Sequence, residues 1–100
     1  LEAQMKIHSK AVHAGDRKRK AGTPIPVTTP IYAAASFFYD KLETIDKVFA
    51  HEEHGYAYSR YDNPTNAALE EAMSALEGAA GSLATASGMS ALQIALTAGL

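Results

Sequence analysis

The stretch Ala79-Ala80-Gly81-Ser82-Leu83-Ala84-Thr85-Ala86, followed at once by Ser87-Gly88-Met89, sets the reading of the chain. Small residues around Leu83 read as a short, closely packed strand. Ser87-Gly88 then opens a helix, Met89 to Ala98, whose residues are apolar or small almost all round, the pattern of a buried helix. A strand, a tight turn and a helix start leave unpaired backbone N–H groups and the positive end of the helix dipole aimed at one spot. Such a spot suits a phosphate. Ser87 can cap the helix, and Gly88 lets an anion approach the backbone with no Cβ in the way. An ordinary capped, buried helix would use the same residues, so both readings stand at this point.

Upstream, Asn63-Pro64 marks the clearest helix, a cap residue followed by proline at the first helical position, where the missing N–H costs nothing. Leu69, Ala72, Met73 and Leu76 recur at i, i+3, i+4 and i+7 and form one stripe, and Gly78 is the stop. Glu70-Glu71 lie off that stripe and read as a solvated face. Leu42, Ile45, Val48 and Phe49 predict a short amphipathic helix over Lys41 to Ala50, with Asp40 as a candidate N-cap and Gly55 beyond the end. Three prolines between Thr23 and Pro30 make that segment an extended arm. It leads into the apolar run Ile31 to Tyr39.

Aromatic and cationic residues gather in Tyr56-Ala57-Tyr58-Ser59-Arg60-Tyr61. In an extended segment Tyr56, Tyr58 and Arg60 share one face, with successive members about 6 to 7 Å apart. A guanidinium with forked charge-assisted hydrogen bonds and a phenol hydroxyl can grip the same phosphate. A strand with its tyrosines packed and its arginine solvated fits the same residues.

Composition bounds the rest. One hundred residues make one domain at most. Of the apolar residues twenty are alanine, whereas Leu, Ile, Val and Phe together number 19, at the edge of the roughly 20% expected of packed domains. The chain is therefore expected to fold but to lean on a partner. Residues 1 to 20 carry six Lys/Arg against two acids, and the remainder three against nine. The basic excess sits in Arg17-Lys18-Arg19-Lys20, read as a solvated loop because like charges in a row repel, with no interleaved aromatics to mark a nucleic-acid site.

The absence of cysteine excludes a disulfide framework, an iron–sulfur cluster and thiolate zinc. No apolar run approaches the roughly 18 to 20 residues of a membrane span, and no signal-peptide core opens the chain, so the cytoplasm is the expected location. Leu1-Glu2-Ala3-Gln4 ahead of Met5 reads either as the interior of a longer protein or as a short remnant before a natural start. His51 and His54 bracket two glutamates without a third ligand nearby, and they suit a helix C-terminus better than a metal. Of His8 and His13, one is expected to pack against the N-terminal turn. No GxxxxGK[ST] loop and no GxSxG elbow occurs.

Taken together, Tyr58-Ser59-Arg60, Asn63-Pro64-Thr65, Ala68-Leu69-Glu70, Leu76-Glu77-Gly78 and Ala84-Thr85-Ala86-Ser87-Gly88-Met89 resemble the cystathionine γ-synthase family. These are pyridoxal-phosphate enzymes of cysteine and methionine metabolism. Val12-His13-Ala14-Gly15 and Pro30-Ile31-Tyr32 look like the family's opening region, so the resemblance covers nearly the whole chain.

The resemblance implies an α/β fold of the aspartate-aminotransferase type (fold type I). This chain would hold its arm, early helices and first strand, and would be mainly helical by itself. Residues 1–60 would form the N-terminal arm and subunit-contact segment, and 61–100 the start of the cofactor-binding domain. The implied cofactor is pyridoxal 5′-phosphate, its phosphate held by backbone N–H groups of Gly88 and Met89 and, from the neighbouring identical subunit, by Tyr58 and Arg60. A homodimer or homotetramer is implied, acting on a small amino acid.

The family's cofactor-anchoring lysine matches none of Lys6, Lys10, Lys18, Lys20, Lys41 or Lys47 and is expected beyond residue 100. No catalytic residue is therefore assigned here, and the chain is not expected to be the whole catalyst. The implied activity is γ-elimination or γ-replacement on homoserine-ester or cystathionine-type amino acids, as in cystathionine γ-synthase or γ-lyase. O-acetylhomoserine sulfhydrylase and methionine γ-lyase chemistry stay open, as does a non-catalytic interaction module.

Overall fold

The structure is a computed structural model that describes residues 5–15, 22 and 24–100. Leu1–Gln4, the Arg17–Lys20 basic run and Thr23, the first residue of the arm, lie outside the described residues. Four helices follow one another: α1 (Ile7–His13), α2 (Leu42–Phe49), α3 (Pro64–Glu77) and α4 (Gly88–Ala98). The chain divides into two compact units, Gly15–Ala68 on one side and Leu1–Ala14 with Leu69–Leu100 on the other, with the boundary inside α3.

In the unit Gly15–Ala68, the apolar stripe of α2 is used in part. Val48 is buried and Ile45 half-buried, while Leu42 and Phe49 face solvent. Asp40 is not the cap. The chain is still extended at Lys41 (φ −123°, ψ 135°), which takes the N-cap position without a side-chain hydrogen bond. The helix closes on His51 rather than on a glycine. His51 sits at φ 59°, the Glu52 N–H reaches back to the Lys47 carbonyl at 2.9 Å, and the His51 N–H reaches the Val48 carbonyl at 3.2 Å. This is a Schellman closure with a non-glycine residue in the left-handed position.

An antiparallel bridge pairs Ser36 with Tyr58 and is the extent of β pairing among the described residues. Its hydrogen bonds run from the Phe37 N–H to the Ala57 carbonyl (3.1 Å) and from the Ser59 N–H to the Ala35 carbonyl (2.8 Å). The Ser59 hydroxyl also donates to the Ala34 carbonyl. Small residues at 33–35 thus let the arm lie close to the Tyr58 segment. Gly15, at φ +80°, lies against the start of α3 so closely that a Cβ there would overlap the Ala68 carbonyl oxygen and come within 3.1 Å of its carbon.

The start of α3 is where the sequence places it. Pro64 is the first helical residue, and the Asn63 side-chain oxygen accepts the Thr65 N–H at 2.8 Å. Asn63 is also buried, and its side-chain amide donates to the Tyr32 carbonyl and to the Ser59 hydroxyl, each at 3.0 Å. The Thr65 hydroxyl accepts the Tyr32 N–H at 2.9 Å and donates to the Pro30 carbonyl at 3.3 Å. One cap therefore ties together the helix, the arm and the Tyr58–Tyr61 turn.

In the other unit, α3 ends as expected at Gly78, whose φ of 65° lets the Ala79 N–H return to the Ser74 carbonyl at 2.9 Å. The expected strand Ala79–Ala86 does not form. A strand exists through a ladder to a neighbour, and among the described residues no partner strand lies beside this segment. Its polar groups turn to side chains instead: the Ala84 N–H donates to the Glu70 carboxylate at 2.9 Å, and Ser82 and Ser74 hydroxyls pair at 2.6 Å.

That contact corrects the solvated-face reading of Glu70-Glu71, since both residues are half-buried. The α3 stripe is only partly covered, with Leu69 and Met73 exposed. Likewise α4 is exposed along nearly its whole length, including Met89, Leu92, Ile94 and Leu96, although its composition marks it as a helix to be covered. His8 and His13 on α1 are both exposed. Ala14 and Val48 are the buried apolar side chains among the described residues, so this chain builds little core by itself.

Candidate functional site

Tyr58 and Arg60 come together by a route different from strand alternation. The chain turns immediately after the Ser36–Tyr58 bridge, where the Tyr58 carbonyl accepts the N–H groups of Tyr61 (3.0 Å) and Asp62 (3.2 Å). The turn brings the Arg60 guanidinium over the Tyr58 ring, 5.2 Å from its centroid, and over the Tyr61 ring, 5.5 Å from its centroid. The two rings stand edge to face, 6.3 Å apart at 64°.

Tyr56 goes elsewhere. It packs against Phe37 at 5.8 Å and meets His54 edge-on at 5.3 Å, so the expected common face of Tyr56, Tyr58 and Arg60 is not formed. Turn hydrogen bonds override the period-two rule once the chain leaves the bridge. Arg60 and Tyr58 remain exposed, a charged donor and a phenol available to an incoming anion.

Gly88 and Met89 occupy the first two positions of α4. Ser87, extended at φ −152° and ψ 157°, accepts the Ser90 N–H at 3.1 Å through its hydroxyl, and its carbonyl accepts the Ala91 N–H at 3.1 Å. The cap thus consumes the third and fourth N–H groups of the helix. Those of Gly88 and Met89 make no hydrogen bond to the described residues and lie at the positive end of the dipole. The space where a Gly88 Cβ would project is open.

Tyr58 and Arg60 belong to one unit, and Gly88 and Met89 to the other. Each pair fits a phosphate in its own chemistry: a guanidinium with a phenol hydroxyl, and two unpaired N–H groups at a helix start. The sequence reading overlooked Tyr61, which alternation would have put on the opposite face, and the tertiary roles of Ser59 and Thr65. The Tyr-x-Arg-Tyr spacing followed by an Asn-Pro cap was the available signal for a turn.

Residues 8–100 match the model of a family described as Cys/Met metabolism PLP-dependent enzyme. The chain belongs to this family. The resemblance carried by the Tyr58, Asn63 and Ser87 motifs is thereby upheld, and with it dependence of the family on pyridoxal phosphate. Over 90 residues the chain is 42% identical to L-methionine gamma-lyase of Fusobacterium nucleatum subsp. polymorphum, a match covering 90% of this chain and 22% of that protein. It is 38% identical over 90 residues to cystathionine gamma-synthase 1, chloroplastic, of Nicotiana tabacum, covering 90% of this chain and 17% of that one.

Among solved structures, a Campylobacter jejuni protein described as an O-acetylhomoserine (thiol)-lyase superposes with a TM-score of 0.82 at 29% identity. That match covers 94% of this chain and 23% of the other, which carries N′-pyridoxyl-lysine-5′-monophosphate. The chain therefore spans about a fifth of the length of these relatives. No helix among the described residues is long and apolar enough to cross a membrane.

Proposed function

We propose that this chain is the N-terminal part of a pyridoxal-phosphate-dependent trans-sulfuration enzyme with a fold of the aspartate-aminotransferase type. Its substrates are homoserine-ester or cystathionine-type amino acids, and its reaction is γ-elimination or γ-replacement. Residues 1–60 form the arm and subunit-contact segment of a cytoplasmic homodimer or homotetramer, and 61–100 open the cofactor domain. The relatives' names, a methionine gamma-lyase, a cystathionine gamma-synthase and an O-acetylhomoserine (thiol)-lyase, support this substrate class and keep the neighbouring reactions within reach.

The observation that carries the reading is the Ser87 cap, which uses the N–H groups of Ser90 and Ala91 and leaves those of Gly88 and Met89 for a phosphate. When bound, pyridoxal phosphate supplies the electron sink for chemistry at the substrate's α-carbon. The residues of this chain bind and orient. Gly88 and Met89 donate two backbone hydrogen bonds to phosphate oxygens, Arg60 neutralises charge through its fork, and Tyr58 donates its hydroxyl. In this reading Tyr58 and Arg60 serve the cofactor of the neighbouring subunit.

The test is complementation in the full-length enzyme. An Arg60→Ala chain is co-expressed with a chain lacking the cofactor-anchoring lysine and assayed at limiting cofactor, where each alone gives little activity. A hydrogen bond to a charged group is worth about 1.5 to 3 kcal/mol, so Arg60→Ala should weaken cofactor retention roughly tenfold or more. A shared site predicts recovered activity in mixed dimers, because one site then holds both intact residues. Verified mixed dimers without recovered activity refute the sharing.

A further inference from the structure

We propose that Tyr61 is a positioning residue that holds the Arg60 guanidinium ready for an anionic phosphate. Arg60 is exposed on a turn, where a long side chain ordinarily samples many rotamers. Here its guanidinium is set in the corner between two rings, 5.2 Å from the Tyr58 centroid and 5.5 Å from the Tyr61 centroid. The rings are themselves fixed edge to face at 64°. The backbone holds the corner open, since the Tyr58 carbonyl accepts the Tyr61 N–H at 3.0 Å and brings residues three apart to the same side.

Tyr58 alone offers one ring face, and a guanidinium on one face can still swing. Tyr61 supplies the second wall. Each ring attracts the cation through its quadrupole, and a guanidinium held between two rings has fewer rotamers to lose when its N–H fork takes a phosphate. Within this chain the Tyr61 side chain is largely exposed, and the ring contacts given for it are those with Tyr58 and Arg60.

The inference rests on the phosphate role proposed above for Arg60, and the experiment separates the two. Apo forms of the full-length enzyme and of its Tyr61→Leu, Tyr61→Phe, Arg60→Ala and Arg60→Ala/Tyr61→Leu variants are titrated with pyridoxal 5′-phosphate and, in parallel, with pyridoxal, which lacks the phosphate. Tyr61→Leu should weaken binding of the phosphorylated form by about three- to tenfold, the scale of a cation–π contact that becomes partly desolvated. It should leave pyridoxal binding unchanged. Tyr61→Phe should bind as the parent does, because the ring and not the hydroxyl makes the contact. In the Arg60→Ala background, Tyr61→Leu should have no further effect.

Full affinity of Tyr61→Leu alongside weakened Arg60→Ala overturns the inference and spares the phosphate role of Arg60. An equal loss for pyridoxal, or an undiminished effect in the Arg60→Ala background, also overturns it, since Tyr61 would then be supporting the fold generally. Unchanged affinity of Arg60→Ala overturns both.

Discussion

Replacing Asn63 tests how the arm, the turn and α3 are held as one piece. Its side chain makes three hydrogen bonds from a buried position: it accepts the Thr65 N–H at 2.8 Å and donates to the Tyr32 carbonyl and the Ser59 hydroxyl at 3.0 Å each. Loss of an N-cap costs about 0.5 to 2 kcal/mol, and each further hydrogen bond about 0.5 to 1.5 kcal/mol. Asn63→Ala should therefore destabilise this region by roughly 2 to 4 kcal/mol, which at about 1.4 kcal/mol per decade is 30- to 1,000-fold in a local opening equilibrium. Asn63→Asp keeps the accepting oxygen and suits the helix dipole, but it has no N–H₂ to offer Tyr32 or Ser59. It should cost about half as much.

Amide hydrogen exchange of the full-length protein reads this at the peptides containing Tyr32 and Thr65. The expected order of exchange is Asn63→Ala fastest, Asn63→Asp next and the parent slowest, with Thr65 protected in Asn63→Asp more than Tyr32. If Asn63→Ala leaves both amides at parental rates, the cap does not organise the segment, and the physical link from α3 to the Tyr58–Tyr61 turn is wrong.

Gly15→Ala should be severely destabilising, because a left-handed non-glycine residue costs about 1 to 2 kcal/mol and crowding against the Ala68 backbone roughly 1 to 3 kcal/mol more; a parental thermal midpoint would contradict this. His51→Gly should stabilise by about 1 kcal/mol, since His51 holds the left-handed closing position of α2, and a denaturant midpoint that falls instead would show that the imidazole makes a compensating contact. The 100 residues made alone should not give a cooperative monomeric thermal transition. Ordering costs about 1 to 2 kcal/mol per residue, and the large apolar side chains of α4 that would offset it are exposed. A sharp monomeric transition would sink that expectation.

Local chemistry made parts of this structure legible in advance. Asn63-Pro64, Gly78 and Ser87-Gly88 each act through hydrogen bonds or backbone angles within a few residues, and each marks a helix boundary where expected. Features that depend on distant partners are not fixed by local sequence. Ala79–Ala86 has strand-like composition but no ladder partner among the described residues, and Glu70 looked solvated until the backbone at Ala84 came alongside it.

The candidate site shows the same division. The pairing of Gly88 with Met89 follows from one cap, whereas the Tyr58–Arg60–Tyr61 corner needs both the Ser36 bridge and the turn after it. Alternation alone selects Tyr56, which instead packs tilted against Phe37 and edge-on against His54. Asp40 failed as a cap for a smaller reason, since the chain stays extended one residue longer, through Lys41.

The central claim is that the residues of this chain hold the phosphate of pyridoxal phosphate. Its most direct test is a crystal structure of the full-length enzyme with the cofactor bound. The account predicts phosphate oxygens about 2.7 to 3.1 Å from the backbone nitrogens of Gly88 and Met89, with an Arg60 guanidinium and a Tyr58 hydroxyl from the neighbouring subunit on the same phosphate. A phosphate bound elsewhere, with the Gly88 and Met89 N–H groups facing water or protein, would contradict it.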